Sequence, residues 1–120
     1  MKPNHVPFYD NAEPEYDEDG RRFVDRIYCF DWDSFSDSEW TRLANTYELL
    51  PGWCGYGADP YVKGCPCWYG LDPDAGSHLS AAVEPPGIQL GGDVTDDELE
   101  SWHERFLQLT NSLPRRDIDV

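Results

Sequence analysis

The stretch TDDELESWHERFLQLTNSLP, residues 95–114, specifies a helix more clearly than any other part of the chain. It opens with a capping box, in which the Thr95 hydroxyl accepts a hydrogen bond from the amide of Glu98 and the Glu98 carboxylate accepts one from the amide of Thr95. Apolar residues then recur at intervals of three and four, and Pro114 ends the pattern. These residues are Leu99, Trp102, Phe106, Leu109 and Leu113. The pattern predicts a helix over Asp96–Ser112.

A second capping box lies nearer the middle of the chain. Ser36 and Glu39 occupy its two positions, and Pro51-Gly52 cannot extend the helical pattern that follows. The apolar residues on one face of this segment are Trp40, Leu43, Ala44 and Tyr47. A second helix is therefore predicted over Asp37–Leu50.

Two other segments alternate in the manner of strands. Over Phe23–Trp32 both alternating sets of side chains are apolar, which indicates a strand buried on both faces. Farther along, Leu79–Val83 and Ile88–Leu90 alternate on either side of the turn residues Pro85-Pro86-Gly87, which is typical of a hairpin.

Residues 52–76 are rich in glycine, proline, cysteine and aromatic residues, a composition that favours irregular structure. Short strands near Tyr61–Val62 and Cys67–Leu71 fit within this loop. The order strand, helix, loop, hairpin, helix predicts an α+β fold: a small antiparallel sheet with two helices packed on one face and a large irregular aromatic loop.

The length of 120 residues suits one folded unit. We expect a single α+β domain over residues 21–114. Residues 1–20 are predicted to be an acidic N-terminal arm, because they combine prolines with a dense run of Asp and Glu. Residues 115–120 form a short polar C-terminal tail.

Charge is the strongest compositional signal. The chain has 24 acidic and 9 basic side chains, for a formal net charge of -15 at pH 7. Such a chain repels nucleic acid and anionic membranes, so neither is expected as a direct partner. A basic protein is attracted by the same field, and a basic protein partner is therefore predicted.

No run approaches the ~20 apolar residues of a membrane span, and the first residues lack the apolar core of a signal peptide. The expected location is the cytoplasm, where cysteines remain thiols. Cys29 alternates in phase with Ile27 and is expected to pack as a small core residue.

The predicted C-terminal helix carries the first candidate site. Asp97, Glu100 and Glu104 share its solvent-facing side, and Asp93 and Asp96 crowd its start. Acidic residues in a first helical turn complement the helix dipole. Glu100 and Glu104, by contrast, are like charges four residues apart, an arrangement that lowers the stability of a helix. A partner-binding face and an ordinary solvated face both remain open.

The aromatic loop carries the second candidate site. Tyrosine and tryptophan beside acidic residues make good interface anchors. The candidates are Tyr56, Asp59, Tyr61, Asp72 and Asp74. The alternative is that rings such as Trp53 and Trp68 fill the core.

A metal site is the weakest candidate. Cys54, Cys65, Cys67 and His78 offer thiolate and imidazole, which suit zinc. Only one residue separates Cys65 from Cys67, whereas paired zinc ligands are usually separated by two to four. No cofactor and no catalytic residue are predicted, although a small zinc- or thiol-dependent enzyme remains a third hypothesis.

In size, acidity, α+β pattern and its carboxylates beside an aromatic loop, the chain resembles the bacterial toxin-immunity proteins. That resemblance implies a non-enzymatic inhibitor that binds and occludes a basic toxin, with carboxylates standing where substrate phosphates would lie. The alternative is a phage anti-defence protein, such as a DNA mimic or an anti-CRISPR-like inhibitor. A DNA mimic should distribute its carboxylates along an extended surface.

Overall fold

A computed structural model of the chain describes residues 5–57 and 63–117. Its strands are β1 (Phe8–Asp10), β2 (Arg21–Cys29), β3 (Trp53–Tyr56), β4 (Pro66–Trp68), β5 (His78–Glu84) and β6 (Gly87–Thr95). Its α-helices are α1 (Asp37–Glu48) and α2 (Asp96–Thr110). None of the described helices is long and apolar enough to cross a membrane. The predicted α+β fold with an antiparallel sheet is confirmed.

The strands form one sheet in the order β1-β2-β6-β5-β4-β3. After β2 the chain crosses the sheet through α1 and enters the far edge as β3. It then returns through β4 and β5 until β6 pairs with both β5 and β2. As predicted, both helices pack on one face of this sheet. Among the described residues no helix covers the opposite face, which we call the outer face, although Ile27, Cys29 and Cys67 are buried there.

Large aromatic rings join the helices to the sheet. Trp102 of α2 lies edge-on to Trp68 of β4 with 5.0 Å between ring centroids, and it stacks on Phe106 at 4.7 Å. The Trp68 indole N–H donates a hydrogen bond to the Tyr47 carbonyl of α1 at 2.9 Å. These rings bury large apolar areas in specific geometries, which stabilises this packing. The hypothesis that Trp68 fills the core is confirmed, because its side chain is fully buried.

Both predicted capping boxes are present, but each helix ends two residues earlier than predicted. Beyond α1 the chain tightens, since the amide of Leu49 donates to the carbonyls of Thr46 and Tyr47. Beyond α2 the amide of Leu113 donates to the Thr110 carbonyl. Leu113 is still buried, so its apolar side chain belongs to the core although it lies outside the helix.

The prediction for the first strand was partly wrong. The strand spans Arg21–Cys29 rather than Phe23–Trp32, and Trp32 lies in a short 3-10 turn. Cys29 is buried as expected, but Phe23, which lies on the same face nearer the start of β2, is 47% exposed. Apolar alternation predicted the same burial for both, because it does not show which part of a strand face other segments cover.

The termini and the aromatic loop contribute to the same sheet. Residues 8–10 form β1 and pair with β2, and Arg115 forms an isolated bridge with Phe30. Within residues 52–76 the sequence patterns missed β3, and the strand predicted near Cys67–Leu71 is β4 (Pro66–Trp68). The strand predicted at Tyr61–Val62 lies outside the described residues.

Candidate binding surface

One end of the sheet gathers acidic residues from three separate parts of the chain. At this end β2 and β5 begin and β6 ends, as the register pairs Arg21 with Thr95 and His78 with Asp93. The arm, the loop before β5 and the start of α2 therefore meet there. We call this region the acid end and define it by its carboxylates: Glu13, Glu15, Asp17, Glu18, Asp19, Asp72, Asp74, Asp93, Asp96, Asp97, Glu98 and Glu100.

Hydrogen bonds hold the arm at the acid end. The Tyr16 hydroxyl donates to the Asp96 carboxylate, with both oxygens 3.0 Å away. This bond raises the pKa of Tyr16, because the neighbouring carboxylate disfavours the phenolate. Nearby, an Asp17 oxygen accepts the amides of Asp19 and Arg21, each at 2.9 Å. The acidic run of the arm is thereby placed beside the first turn of α2.

Glu98 has a structural role at the start of α2. Its Oε1 accepts hydrogen bonds from the Ser77 hydroxyl at 2.6 Å and from the Thr95 amide at 2.9 Å. Partial burial opposes ionisation, but these hydrogen bonds outweigh it and lower the pKa of Glu98. The Tyr69 hydroxyl donates to the Glu98 carbonyl at 2.9 Å, which ties the loop before β5 to the helix.

The carboxylates farther along α2 are different. Asp97, Glu100 and Glu104 are exposed, and we call these three the carboxylate stripe. Within residues 5–57 and 63–117 none of them forms a hydrogen bond or a salt bridge through its side chain. Arg105, the nearest cation on the helix, instead donates to the Gln108 side chain at 3.4 Å. None of the three carboxylates is therefore paired with a cation among the described residues.

Most of the arginines near the acid end already have partners. Arg21 pairs with Asp19 at 3.0 Å. Arg26 binds Asp10 of β1 through Nε at 2.6 Å and Nη2 at 3.2 Å, and it lies 4.8 Å from the centre of the Phe8 ring. Burial alone would lower the pKa of Arg26, but its hydrogen bonds with Asp10 and Tyr28 leave that pKa raised. Both arginines stabilise the arm rather than neutralise α2.

A groove of about 410 Å³ separates the arm from α2. Its β2 wall carries Arg22 and Arg26, and its α2 wall carries Asp96, Glu100 and His103. Arg22 forms no salt bridge with either carboxylate in the part of the chain that the structure describes. Arg22 thus weakens the local negative potential without direct pairing.

His103 is neutral at the inner side of this groove. Its Nδ1 lies 2.8 Å from the Tyr28 hydroxyl and 3.3 Å from Nη1 of Arg26. Because a guanidinium can only donate, Nδ1 must accept and the ring proton sits on Nε2. Burial, followed by the charges of Arg26 and His5, lowers the pKa of His103 to about 4. This network joins β2 to α2 without adding positive charge.

The predicted residues of the aromatic loop do not form one cluster. Tyr56 is 54% exposed on the edge strand β3, next to Trp53, whereas Asp72 and Asp74 are exposed in the loop before β5 at the acid end. Trp53 is partly buried against the core, as the core hypothesis expected. Asp59 and Tyr61 lie outside the described residues. Tyr56 therefore lies at the β3 edge of the sheet, with β4 and β5 between it and β6, the strand that leads into α2.

The candidate metal ligands are similarly spread. Cys54 is exposed and donates to the Gly52 carbonyl, whereas Cys67 is buried and donates to the Cys65 carbonyl. His78 is buried, with Nδ1 2.7 Å from the Gly70 carbonyl. Among the described residues, no three His, Cys, Asp or Glu side chains are grouped so that they could hold a metal ion.

Tyr16 is the functional candidate that sequence reasoning missed. It bonds to a residue 80 positions away, and no local periodicity links the two. The chain matches no family model, no curated protein and no solved structure. The functional conclusion therefore depends on the surface itself.

Proposed function

We propose that this protein is a non-enzymatic acidic inhibitor that binds and occludes a basic protein, and that it acts as an immunity protein against a bacterial toxin. The proposal depends on one observation: the exposed carboxylate stripe, which adjoins the acidic arm, forms no side-chain hydrogen bond or salt bridge among the described residues. It assigns no catalytic residue and needs no cofactor. The proposed location is the cytoplasm.

The energetic argument concerns Glu100 and Glu104. Like charges at this spacing on a helix destabilise it by a few tenths of a kcal/mol. Lysine or arginine side chains of a partner would remove that repulsion and replace it with charge-assisted hydrogen bonds. The repulsion between the two carboxylates in the free protein is thus removed in the complex.

The acid end also explains how binding would be fast and selective. A concentrated negative field steers a basic cleft into the correct orientation, with association rates that can reach ~10⁸–10⁹ M⁻¹s⁻¹ at low salt. In the complex the carboxylates would occupy the positions that substrate phosphates take in the cleft of a nuclease-like toxin. Occlusion of that cleft is the proposed mechanism.

The test begins with affinity capture from a lysate of the native host at about 50 mM salt, repeated at about 500 mM, where screening is strong. Two variants with equal net charge are compared: Glu100→Lys/Glu104→Lys on α2 and Asp33→Lys/Glu84→Lys at the other end of the sheet. There Glu84 ends β5, and Asp33 follows β2. A protein retained by the wild type and by the second variant, but lost by the first, is purified and assayed.

We expect that protein to be a basic enzyme that the wild type inhibits at one equivalent. A protein retained equally by both variants, or one whose activity is unaffected, would contradict the proposal. The same experiment separates the two kinds of inhibitor. A secreted or contact-delivered toxin as the captured protein identifies an immunity protein, whereas a host defence complex identifies the anti-defence alternative.

A further inference from the structure

Two arginines of β2 lie on the helix-covered face of the sheet, but only one of them has a partner. Arg22 and Arg26 share this face with Val24, which lies between them and is fully buried. Arg26 binds the Asp10 carboxylate through two nitrogens, at 2.6 and 3.2 Å. Arg22 forms no hydrogen bond and no salt bridge among the described residues, although its Nε is buried. Since an unused buried donor is costly, the state of Arg22 needs an explanation.

Arg22 lies at one end of the groove between the arm and α2. In the sheet it pairs with Val94, two residues before the start of α2. Its positive charge partly opposes the rise in the pKa of Tyr16, which places the guanidinium near the Tyr16 hydroxyl. That hydroxyl donates to Asp96. This end of the groove is therefore its charged end.

The other end of the groove is aromatic. His103 lies there, seven residues after Asp96, so the groove extends about 10 Å along α2. The Phe8 ring lies edge-on to the His103 ring, with 4.5 Å between centroids, and Leu99 lines the groove between its two ends. The volume of about 410 Å³ falls within the range of about 300–1,000 Å³ that is typical of small-molecule sites.

The α2 wall of the groove carries a carboxylate that is also without a partner. Glu100 lies about one turn beyond Asp96, and its exposed side chain forms no hydrogen bond or salt bridge among the described residues. Asp96, by contrast, already accepts the Tyr16 hydroxyl. Arg22 and Glu100 line the same groove from opposite walls without pairing with each other, so a ligand that carries both charges can bind both.

We propose that the groove binds an aromatic amino acid as its zwitterion. Arg22 binds the carboxylate of the ligand and Glu100 binds its ammonium group, both through charge-assisted hydrogen bonds, while the ring of the ligand packs against Phe8. The net charge of -15 disfavours a purely anionic ligand, whereas a zwitterion has no net charge to be repelled. This site is separate from the proposed inhibition of a basic protein, although Glu100 belongs to both surfaces.

The test is a titration of the isotopically labelled full-length protein with L-phenylalanine, followed by NMR up to about 10 mM ligand. We expect saturable shifts of the amide signals of Arg22, Leu99, Glu100 and His103. Two analogues separate the charges: 3-phenylpropanoate lacks the ammonium group, and phenethylamine lacks the carboxylate. Each should bind at least tenfold more weakly than L-phenylalanine, because each leaves one charge of the groove unpaired.

Two substitutions test the two walls of the groove. Arg22→Gln should weaken the affinity for L-phenylalanine by at least tenfold, and Glu100→Gln, at a more exposed position, by about fivefold. The matched controls Arg42→Gln and Glu48→Gln remove the same charges from exposed positions of α1 outside the groove, and they should change the affinity less than twofold. Glu100→Gln is a surface change that should leave the fold intact, so it tests the site even if Arg22→Gln does not fold.

Three results would overturn the amino acid site. They are the absence of saturable shifts up to about 10 mM L-phenylalanine, binding of either analogue as tight as that of L-phenylalanine, and equal losses in the groove variants and their controls. Each of them leaves the proposed function standing, because that function is tested by capture of a protein and inhibition of its activity. Failure of the capture experiment, in turn, leaves the amino acid site standing.

Discussion

Acidic residues lie both in the first turn of α2 and in the middle of the same helix, but they differ in their hydrogen-bond partners. In the first turn Asp96 accepts the Tyr16 hydroxyl, and Glu98 accepts Ser77 and Thr95. In the middle, Glu100 and Glu104 point to solvent and have no partner in the described structure. The first pair can be explained by the folding of this chain. The second pair has no hydrogen-bond or salt-bridge partner among the described residues, and its mutual repulsion is the basis of the proposed function.

The largest predicted effect on stability comes from the first turn. Glu98→Ala removes half of the capping box and leaves the Ser77 hydroxyl without its acceptor. The free energy of unfolding should fall by about 1–2 kcal/mol, measured by urea denaturation at pH 7. The neighbouring variant Asp97→Ala is the control and should change it by less than about 0.5 kcal/mol. Equal effects of the two variants would show that the hydrogen bonds of Glu98 do not stabilise the fold more than Asp97 does.

The dependence of stability on pH tests whether the ionised form of Glu98 stabilises the helix. The folded-state pKa of Glu98 is lowered, so its contribution is complete above the unfolded value of about 4.3 and is lost as the pH falls through the folded value. The free energies of unfolding of the wild type and Glu98→Ala, plotted against pH, should therefore converge below about pH 4. Parallel curves over that range would show that ionised Glu98 does not stabilise the helix.

The next largest effect on stability is expected from His103, which should act at a higher pH than Glu98. Its folded pKa of about 4 lies below the unfolded value of about 6.5, so the contribution of the neutral ring is complete above pH 6.5 and declines as the pH falls toward 4. The loss should be on the order of 1 kcal/mol, because solvent screens this half-buried ring. The measurement compares wild type with His103→Gln, which should lack this slope. The same slope in both proteins would exclude His103 as its cause.

Substitutions that remove the repulsion in the middle of α2 should raise the free energy of unfolding. Glu104→Lys replaces a repulsive pair with Glu100 by an attractive pair in the preferred orientation, and it should raise the free energy of unfolding by about 0.5 kcal/mol. Glu104→Gln removes the repulsion only and should give about half of that gain. If both variants destabilise the protein, the stripe has a structural role that its contacts do not reveal.

The smallest effect is expected at the arm. Tyr16→Phe removes the hydrogen bond to Asp96 at the protein surface, so the denaturation midpoint should not change measurably. Hydrogen exchange of the amides in residues 11–18 should nevertheless become faster than in the wild type, because this bond fixes the arm beside α2. Equal exchange rates would show that the arm is held by its backbone contacts alone.

Features that follow from local chemistry were predictable from the sequence, and features set by distant contacts were not. The two capping boxes and the three-and-four spacing located both helices, because a helix is stabilised within a short segment. The exposure of Phe23 depends on which part of the outer face other segments cover, and the Tyr16–Asp96 bond joins distant parts of the chain. The stripe itself was visible in the sequence, but only the fold shows that its carboxylates form no salt bridge among the described residues.

The most direct test of the central claim is the affinity of the captured basic partner, measured by calorimetry at about 50 mM salt for the wild type and the two double variants. We predict that Glu100→Lys/Glu104→Lys weakens binding by more than tenfold, while Asp33→Lys/Glu84→Lys, with the same net charge, weakens it less than threefold. Equal losses in both variants would show that total charge, rather than the position of the carboxylates on α2, governs binding.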